Sequence, residues 1–446
     1  MTRASLAAAP GRATVAAAVA VLSLVLGACG TGREAAPPSP AATTSAAASI
    51  SAGDDEVDVL TWWADGREKA GLDALLGVLD DQSAGRVAFT EVSSPMAPLR
   101  QALPERIHAM TSARYALDSF QVEGGDGTVR KLVAAGDVQA LDGVYADLGL
   151  ADVWPERLVD LLATDGHLYA MPAVADRTNL LWSNRHVLAD AGLDPDATYG
   201  SVDEWITAMR QVAAAGGRPL ALGRDWTQAL LLEDVLLAEL GPGRFQGLWD
   251  GTTDWAGGDV ERAVGKLLTI VAMSSPDRDG LDWTDQTRSV AKGKAAFTVM
   301  GDWARAELEE RSAAAGEDYT VQPTPGTAGS FVFITDSFAW SGSAGHPAST
   351  RTWFDAMASR DGQSAVALAF DGVPVRTDVD LAPFDAFQRT EIADWRRDVL
   401  VRSVGVDGSD PDDVETILRE AVASLTAGAT TVADFQTAMA AGVSRR

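Results

Sequence analysis

Tryptophan is the residue type in this chain that most suggests binding chemistry. The sequence holds 13 Trp against 12 Phe and 5 Tyr. Several lie near carboxylates or amides, in the segments Trp62-Trp63-Ala64-Asp65, Trp226-Thr227-Gln228 and Asp302-Trp303. An indole face packs against the apolar C–H face of a pyranose, while carboxylates and amides hydrogen-bond its hydroxyls. This combination favours a sugar-binding site.

Each of these residues also has a purely structural interpretation. A single Trp more often packs in a core or anchors a loop, and Glu68 has the default role of a solvated helix-face charge. Asp336, directly after an apolar run, is typical of a turn or a helix cap. The pair Trp62-Trp63 differs, because strand alternation directs the two rings to opposite faces unless the strand ends there.

The sequence contains no motif that predicts catalysis or a metal. Its four histidines are far apart and none has metal-ligand spacing; they are His108, His167, His186 and His346. The segment 341–345 lacks the glycine spacing of a nucleophile elbow, and no dinucleotide fingerprint or Walker sequence occurs. We therefore expect a protein that is not an enzyme and that needs no cofactor and no metal.

The first residues have the pattern of an export signal. Arg3 and Arg12 are basic, and the apolar run 13–26 is too short to span a membrane. Cys29, the only cysteine, follows Leu26-Gly27-Ala28, and these four residues resemble the lipobox of lipoproteins. The resemblance implies a signal peptide over 1–28 and a lipid on Cys29. The alternative is an ordinary buried cysteine. Residues 29–56 are mostly Ala, Pro, Ser and Thr, which predicts a disordered tether.

Composition limits the classes of partner. The chain has 446 residues, 46% hydrophobic and 22% charged, as expected for a globular protein. A formal net charge of -27 argues against nucleic acid or an anionic membrane surface as a partner, because phosphate binding needs clustered Lys and Arg. We therefore expect a membrane contact only through the N-terminal lipid.

The apolar patterns alternate between strands and helices after the tether. Strands are predicted from Val57, over 86–92 and over 116–122, with a helix from Gly127, which favours a mainly parallel sheet. Ser201 and Glu204 form a predicted capping box for a helix that ends at Gly216. A second amphipathic helix starts near Val260. The strand pattern returns over 330–335. This order of patterns predicts two lobes between which the chain crosses more than once.

Taken together, these segments resemble the extracellular solute-binding proteins of sugar ABC importers, and among them the glucose- and mannose-type binders. The resemblance runs from about Val57 to the C-terminus. Its most specific pieces are Leu-Ala-Leu-Gly-Arg-Asp-Trp-Thr-Gln at 220–228, Gly-Lys-Ala-Ala-Phe-Thr-Val-Met-Gly-Asp-Trp-Ala at 293–304 and Thr-Asp-Ser-Phe at 335–338.

The resemblance implies a two-lobed α/β fold of the periplasmic-binding-protein type (type II), with a hinge and a cleft between the lobes. Lobe 1 is expected over 57–171 with 327–375, and lobe 2 over 172–326 with 376–446. The crossings are expected near Met171-Pro172, Gly326 and Val375. The sugar is expected in the cleft.

The resemblance also implies which residues contact the sugar. The matching positions are Trp62, Trp63, Glu68, Gln121, Trp226, Trp283, Trp303 and Asp336. Trp303 is expected to be the main stacking platform, and Trp226 a weaker contact. Glu68, Gln121 and Asp336 are expected to orient hydroxyls.

Three positions depart from the resembling family. Glu123, which is itself the ninth expected sugar contact, stands where relatives have a His. Phe370 or Asp371 stands where a Lys is expected, and Val406 lies in a segment that lacks a late His. Fewer donors and an added carboxylate change which sugar fits, because unpaired polar groups reject a ligand. An amino sugar or a differently configured monosaccharide is therefore a hypothesis.

The expected function is capture of a mono- or small oligosaccharide by hinge closure, outside the cytoplasm on the outer face of the cell membrane. The expected partners are the ABC permease subunits, and the expected state is a monomer. Two alternatives stay open: a secreted glycoside hydrolase, and a surface lipoprotein that senses or adheres.

Overall fold

The computed structural model describes residues 54–93, 103–113, 117–123, 127–311, 313–406 and 414–444. The predicted signal peptide, Cys29 and most of the predicted tether lie outside these residues. Within the described ranges, no helix combines the length and the apolar character needed to cross a bilayer.

Two sheets organise the described part of the chain. The first sheet has six strands in the order β2-β1-β3-β8-β4, with β9 paired to β8, and the second has the order β6-β5-β7. The strands are β1 Glu56–Thr61, β2 Ala88–Ser93, β3 Ser119–Glu123, β4 Ala170–Arg177, β5 Leu180–Asn184, β6 Phe297–Val299, β7 Tyr319–Pro323, β8 Ser330–Trp340 and β9 Val399–Arg402.

Helices separate and follow these strands. In the first half of the chain they are α1 Gly66–Ser83, α2 Leu103–Ser112, α3 Gly127–Ala135, α4 Asp142–Asp147, α5 Glu156–Leu162, α6 Arg185–Asp190 and α7 Val202–Ala214. In the second half they are α8 Asp225–Leu240, α9 Pro242–Asp250, α10 Gly258–Val271, α11 Trp283–Ala291, α12 Ala304–Glu310, α13 Pro347–Ala358, α14 Arg360–Phe370, α15 Ala386–Arg397, α16 Val414–Thr426 and α17 Val432–Val443.

The predicted parallel pairing holds for the strands before residue 135, on which it was based, and does not extend to most of the later strand pairs. β1 pairs in parallel with β2 and β3, and β8 with β9. β8 lies antiparallel to both β3 and β4, and the second sheet is antiparallel throughout. The cause is topological: β8 enters the first sheet only after the chain has passed through the second, and it enters from the opposite end.

Each sheet has its own apolar core. We call the six-stranded sheet with its core the first lobe; this core includes Leu60, Phe338 and Trp395. The second lobe is the three-stranded sheet with the core that contains residues of α7–α10, α16 and α17. β8 contributes to both cores because its side chains alternate between two faces: Phe331 and Phe333 pack in the first core, and Val332 packs in the second.

The predicted lobe boundaries remain a prediction, but three observations bear on them. The chain leaves the first sheet after Arg177 and enters the second at Leu180. It returns between Pro323 and Ser330. Beyond Val375 the chain still contributes apolar residues to the first core as far as Leu400, and α16 then packs in the second.

The amphipathic helices of the second lobe follow their sequence patterns. In α7 the predicted apolar face is buried: Val202, Trp205, Ile206, Met209 and Val212. The Ser201 hydroxyl accepts a hydrogen bond from the Glu204 N–H at 3.3 Å, whereas the Glu204 carboxylate accepts from the Gly200 N–H. The predicted capping box is therefore half formed, and Gly216 follows the helix with φ of +85°.

Candidate functional site

A cavity of about 990 Å³ is lined by residues of both lobes. First-lobe residues in its wall are Trp62, Asp65, Gly66, Arg67, Glu68, Leu103, Glu123, Thr128, Asp176, Ile334 and Asp336. Second-lobe and adjoining residues are Arg224, Trp226, Asp282, Trp283, Trp303, Ala306, Glu307, Glu310, Val406, Thr416 and Arg419. Seven of the nine predicted contact residues are among them.

Parallel strand ends build the first-lobe wall. β1 and β3 run in the same direction, so Trp62 after β1 and Glu123 at the end of β3 reach the same edge of the sheet. β8 runs the other way beside β3, and its register sets Asp336 directly opposite Glu123. Gly66, with φ of +58°, allows α1 to begin sharply after Asp65 and brings Glu68 to this edge.

Gln121 lies behind the wall and holds it in place. Its side chain is buried, and its Nε2 donates to Asp336 Oδ1 at 2.6 Å. Its Oε1 accepts from the Thr61 hydroxyl at 2.6 Å and from the Trp62 N–H at 3.1 Å. The predicted role of orienting hydroxyls directly does not fit this position; the amide instead positions Trp62 and Asp336.

Trp63 is a core residue and not part of the cavity lining. Its ring is fully buried and packs against Phe338 and Phe370, with ring centroids 5.5 Å and 5.1 Å away. The predicted sugar contact of Trp63 fails because side chains of consecutive residues point in opposite directions, and this alternation continues beyond Thr61, where β1 ends. Trp62 therefore reaches the cavity, and Trp63 supports the floor beneath it.

Three tryptophans at helix starts build the opposite wall. Trp226 is the second residue of α8, Trp283 is the first of α11, and Trp303 is the N-cap of α12. All three are partly exposed and pack on one small apolar cluster that includes Leu230 and Met300. The indoles are therefore held from behind while part of each ring remains accessible.

The residues just before Trp303 fix its position. Asp302 Oδ2 accepts from the Arg177 N–H at 2.8 Å, and the Asp302 N–H donates to the Arg177 carbonyl at 2.9 Å. These bonds tie the segment to the end of β4. A Cβ at Gly301 would overlap the Trp303 indole, so only glycine lets the ring fold back over the backbone here.

An arginine that was not among the predicted site residues, Arg67, also lines the cavity. Arg67 donates two hydrogen bonds to the Asp176 carboxylate, at 3.2 Å and 3.1 Å, and one to the Phe370 carbonyl at 3.2 Å. Its guanidinium lies 4.2 Å from the centroid of the Phe370 ring. The only sequence feature that could have indicated Arg67 is its position directly before Glu68. Nothing in the sequence predicts its pairing with Asp176, which is 109 residues away.

Glu68 is the lining carboxylate with a strongly shifted pKa. Burial raises this pKa to about 7, and the negative charges of Asp336, Asp176 and Asp65 act in the same direction. The positive charge of Arg67 partly opposes them. Near neutral pH, Glu68 is therefore able both to donate and to accept a hydrogen bond.

The three departures from the resembling family have different positions. Phe370 is buried under Arg67 and Trp63, and Asp371 pairs with Arg305 at 3.2 Å, so neither lines the cavity. Glu123 and Val406 do line it. Among the described residues, no group of three or more His, Cys, Asp or Glu side chains is arranged to hold a metal ion.

Comparison with known proteins identifies the family. The model of the bacterial extracellular solute-binding protein family matches residues 106–364. A probable sugar-binding periplasmic protein of Mesorhizobium japonicum is 30% identical over 363 residues, which cover 80% of this chain and 85% of the relative. A xylose/arabinose-binding protein of Haloferax volcanii is 25% identical over 336 residues, covering 73% of this chain and 71% of the relative.

Solved structures share the architecture. A chitin oligosaccharide binding protein superposes with a TM-score of 0.72 at 18% identity, covering 87% of this chain and 98% of the other. A solute receptor described as preferring β-D-galactopyranose superposes with a TM-score of 0.74 at 14% identity, covering 88% and 99%. The predicted two-lobed α/β fold of the periplasmic-binding-protein type is confirmed, and the chain belongs to the bacterial extracellular solute-binding protein family.

Proposed function

We propose that this protein is the extracytoplasmic substrate-binding component of a sugar ABC importer. The observation that carries the proposal is the convergence of Trp62, Trp226, Trp283 and Trp303 with carboxylates from both lobes on one cavity. The family membership and the names of the relatives, which include sugar-binding and pentose-binding proteins, support it.

The chemistry of the two walls suits a pyranose. Indole faces cover the apolar side of a sugar ring, and Trp303 is proposed as the main platform. Glu68, Glu123 and Asp336 are proposed to accept hydrogen bonds from hydroxyls, with charge-assisted geometry where the carboxylate is ionised. A cavity of about 990 Å³ is large enough for a mono- or a small oligosaccharide.

Capture is proposed to occur by hinge closure. Contacts made by both lobes at once exist only in the closed arrangement, so a ligand that makes them shifts the population toward closure. The segments 178–179 and 324–329 connect the two sheets and are proposed as the hinge segments. The membrane permease is proposed to recognise the closed shape, and no bond of the sugar is broken.

Anchoring is proposed from the sequence alone. A lipid on Cys29 and the tether over 29–56 would keep a monomeric body close to the outer face of the cell membrane. Mass spectrometry of the membrane fraction tests this: a diacylglycerol adduct on an N-terminal Cys29 is expected, and an unmodified N-terminus contradicts it. A specificity of the glucose or mannose type is proposed only from the sequence resemblance, and it is independent of the proposed anchoring.

Calorimetry with a panel of hexoses, pentoses and short oligosaccharides tests the proposed function. We expect at least one sugar to bind with a Kd of about 1 μM, equivalent to about -8 kcal/mol. Chromatography of the same mixtures after prolonged incubation is expected to return every sugar intact. Release of shortened sugars would instead support a glycoside hydrolase.

A further inference from the structure

Arg67 in the cavity wall has hydrogen-bond donors that the protein itself does not use. A guanidinium group carries five N–H groups. Nη1 donates to Asp176 Oδ1 and to the Phe370 carbonyl, each at 3.2 Å, and Nη2 donates to Asp176 Oδ2 at 3.1 Å. The second N–H of Nη2 and the N–H of Nε therefore have no partner among the described residues.

The two unused N–H groups lie on the same edge of the guanidinium. Asp176 occupies the edge formed by Nη1 and Nη2, which leaves the edge formed by Nε and Nη2. Two N–H groups on one edge are parallel and match a pair of oxygens in bidentate geometry. The Arg67 side chain is 22% exposed, and its Nε is not among the buried atoms without a partner. The free edge is therefore open to a ligand in the cavity that Arg67 lines.

The surrounding residues hold the guanidinium in one orientation. Besides the three hydrogen bonds, the Phe370 ring lies under it, with the centroid 4.2 Å from the guanidinium carbon. Phe370 is buried and packs against Trp63 at 5.1 Å, so this support belongs to the first core. A planar donor pair that is already fixed loses little conformational entropy when a ligand binds. Asp176 and Phe370 thus pre-organise Arg67 as a donor.

The charges beside Arg67 favour a neutral partner for the free edge. Asp176 already pairs with the guanidinium, and Glu68 and Asp65, which also line the cavity, lie next to it in the chain. A ligand carboxylate at this edge would be repelled by these acidic groups. Hydroxyl groups avoid this repulsion, because each accepts a hydrogen bond from Arg67 and still has its own hydrogen to donate to a carboxylate such as Glu68.

We propose that Arg67 binds the sugar directly, donating from Nε and Nη2 to two adjacent hydroxyl oxygens, and that Asp176 is its positioning residue. This inference rests on the proposed function and deepens it. It names the part of the ligand that the first lobe selects, a pair of unsubstituted hydroxyls on neighbouring carbons of a neutral sugar.

Calorimetry with monodeoxy sugars tests the inference. The probes are the tightest-binding neutral sugar and each of its monodeoxy forms, together with glucuronic and galacturonic acid. Loss of either oxygen of the pair leaves one N–H of Arg67 without a partner. We therefore expect two neighbouring monodeoxy forms each to bind at least about tenfold more weakly than the parent sugar. Neither uronic acid is expected to bind more tightly than the parent.

Two substitutions of Arg67 assign these losses to its free edge. Arg67→Met removes both donors, so the two neighbouring losses are expected to shrink below about threefold while discrimination at other hydroxyls persists. Arg67→Lys keeps the charge but has no planar donor pair, so it is expected to retain at most one of the two losses. Asp176→Asn, which weakens the hold on Arg67, is expected to reduce both. Arg262→Met, at an exposed position of α10, is the control and is expected to leave the whole pattern unchanged.

The outcomes separate the two proposals. Each variant is compared with itself on several sugars, so a smaller folded fraction cannot imitate a change of pattern. A pattern that survives both substitutions of Arg67, affected hydroxyls that are not neighbours, or a uronic acid that binds more tightly than every neutral sugar contradicts the inference and leaves the proposed function standing. A protein that binds no sugar at all contradicts the proposed function itself, and the inference with it.

Discussion

Trp303 is the single residue on which ligand affinity should depend most. Trp303→Leu is expected to raise the Kd of the tightest sugar about 30-fold, or about 2 kcal/mol, because leucine cannot cover the face of a pyranose. Calorimetry measures the change. Trp340→Phe is the control: Trp340 stacks on Phe354, lies outside the cavity lining, and should leave the Kd unchanged. Equal losses in both variants would refute the role given to Trp303.

The raised pKa of Glu68 predicts a pH-dependent stability. The pKa is about 7 in the folded protein against an ordinary 4.5, so folding disfavours the ionised form. The destabilisation is absent below about pH 4.5, grows as pH rises through this interval and is complete above about pH 7.

Glu68→Gln should therefore stabilise the protein at pH 8, by on the order of 2 kcal/mol after allowance for partial solvent exposure. At pH 4.5 the same substitution should have almost no effect. Urea unfolding at the two pH values measures this. A gain of equal size at both would show that Glu68 does not titrate in this interval.

For single residues, the sequence predicted which tryptophans reach the cavity, but it did not predict the direction in which each side chain points. Trp62, Trp226, Trp283 and Trp303 all reach the cavity, because Trp beside polar residues at element ends marks accessible indoles. Trp63 does not, since neighbouring residues point apart. Contacts such as that of Arg67 with Asp176 join distant parts of the chain, and no local pattern encodes them.

Between elements, a buried arginine holds the place where β4 passes from the first lobe to the second. Arg177 has no exposed surface and donates to Asp394 at 2.8 Å, to Glu391 at 3.3 Å and to Asn179 at 3.0 Å. Its guanidinium lies 4.8 Å from the centroid of the Phe331 ring. The cluster joins β4, β8 and α15.

Arg177→Met should lower the free energy of unfolding by about 3–5 kcal/mol, because it removes the cation that pairs with buried Glu391 and one of the two arginines that pair with Asp394. Urea denaturation measures the loss. Adding Glu391→Gln to this variant should recover part of it, since one uncompensated charge is then removed. A double variant no more stable than Arg177→Met would mean that the loss comes from packing alone.

A second arginine connects α12 of the second lobe to two first-lobe elements. Arg305 pairs with Asp371 at the end of α14 at 3.2 Å and with Asp385 at the start of α15. Arg305→Met should therefore favour separation of the lobes and weaken sugar binding about fivefold, the effect of about 1 kcal/mol of ion pairing.

The matched control is Arg185→Met. Arg185 also forms an ion pair, but its partner Asp196 lies nearby in the sequence, so this pair does not join the two lobes. The pKa of Asp371 is raised by burial to about 6, so the difference between Arg305→Met and wild type should shrink below that pH. A difference that is constant from pH 5 to pH 8 would exclude Asp371 as the partner that matters.

Helices could be predicted more fully than sheet directions. The apolar face of α7 and its end near Gly216 follow from local periodicity and caps. Strand direction depends on where the chain has been before, and β8 is antiparallel to β3 because it returns from the second lobe. The two-lobed fold itself was predicted through resemblance to a family.

For the molecule as a whole, the account predicts a change of shape on binding. Contacts from both lobes to one sugar should draw them together, so the radius of gyration measured by X-ray scattering should fall when the tightest sugar is added. Trp303→Leu at the same subsaturating sugar concentration should show a smaller decrease. An unchanged radius in saturating sugar would argue against hinge closure.

The most direct measurement is a crystal structure of the protein with its tightest-binding sugar. The account predicts one pyranose in the cavity, its face on the Trp303 indole and at least one substituent within hydrogen-bond distance of Glu68 or Asp336. A sugar bound elsewhere, or one that touches a single lobe, would contradict the account.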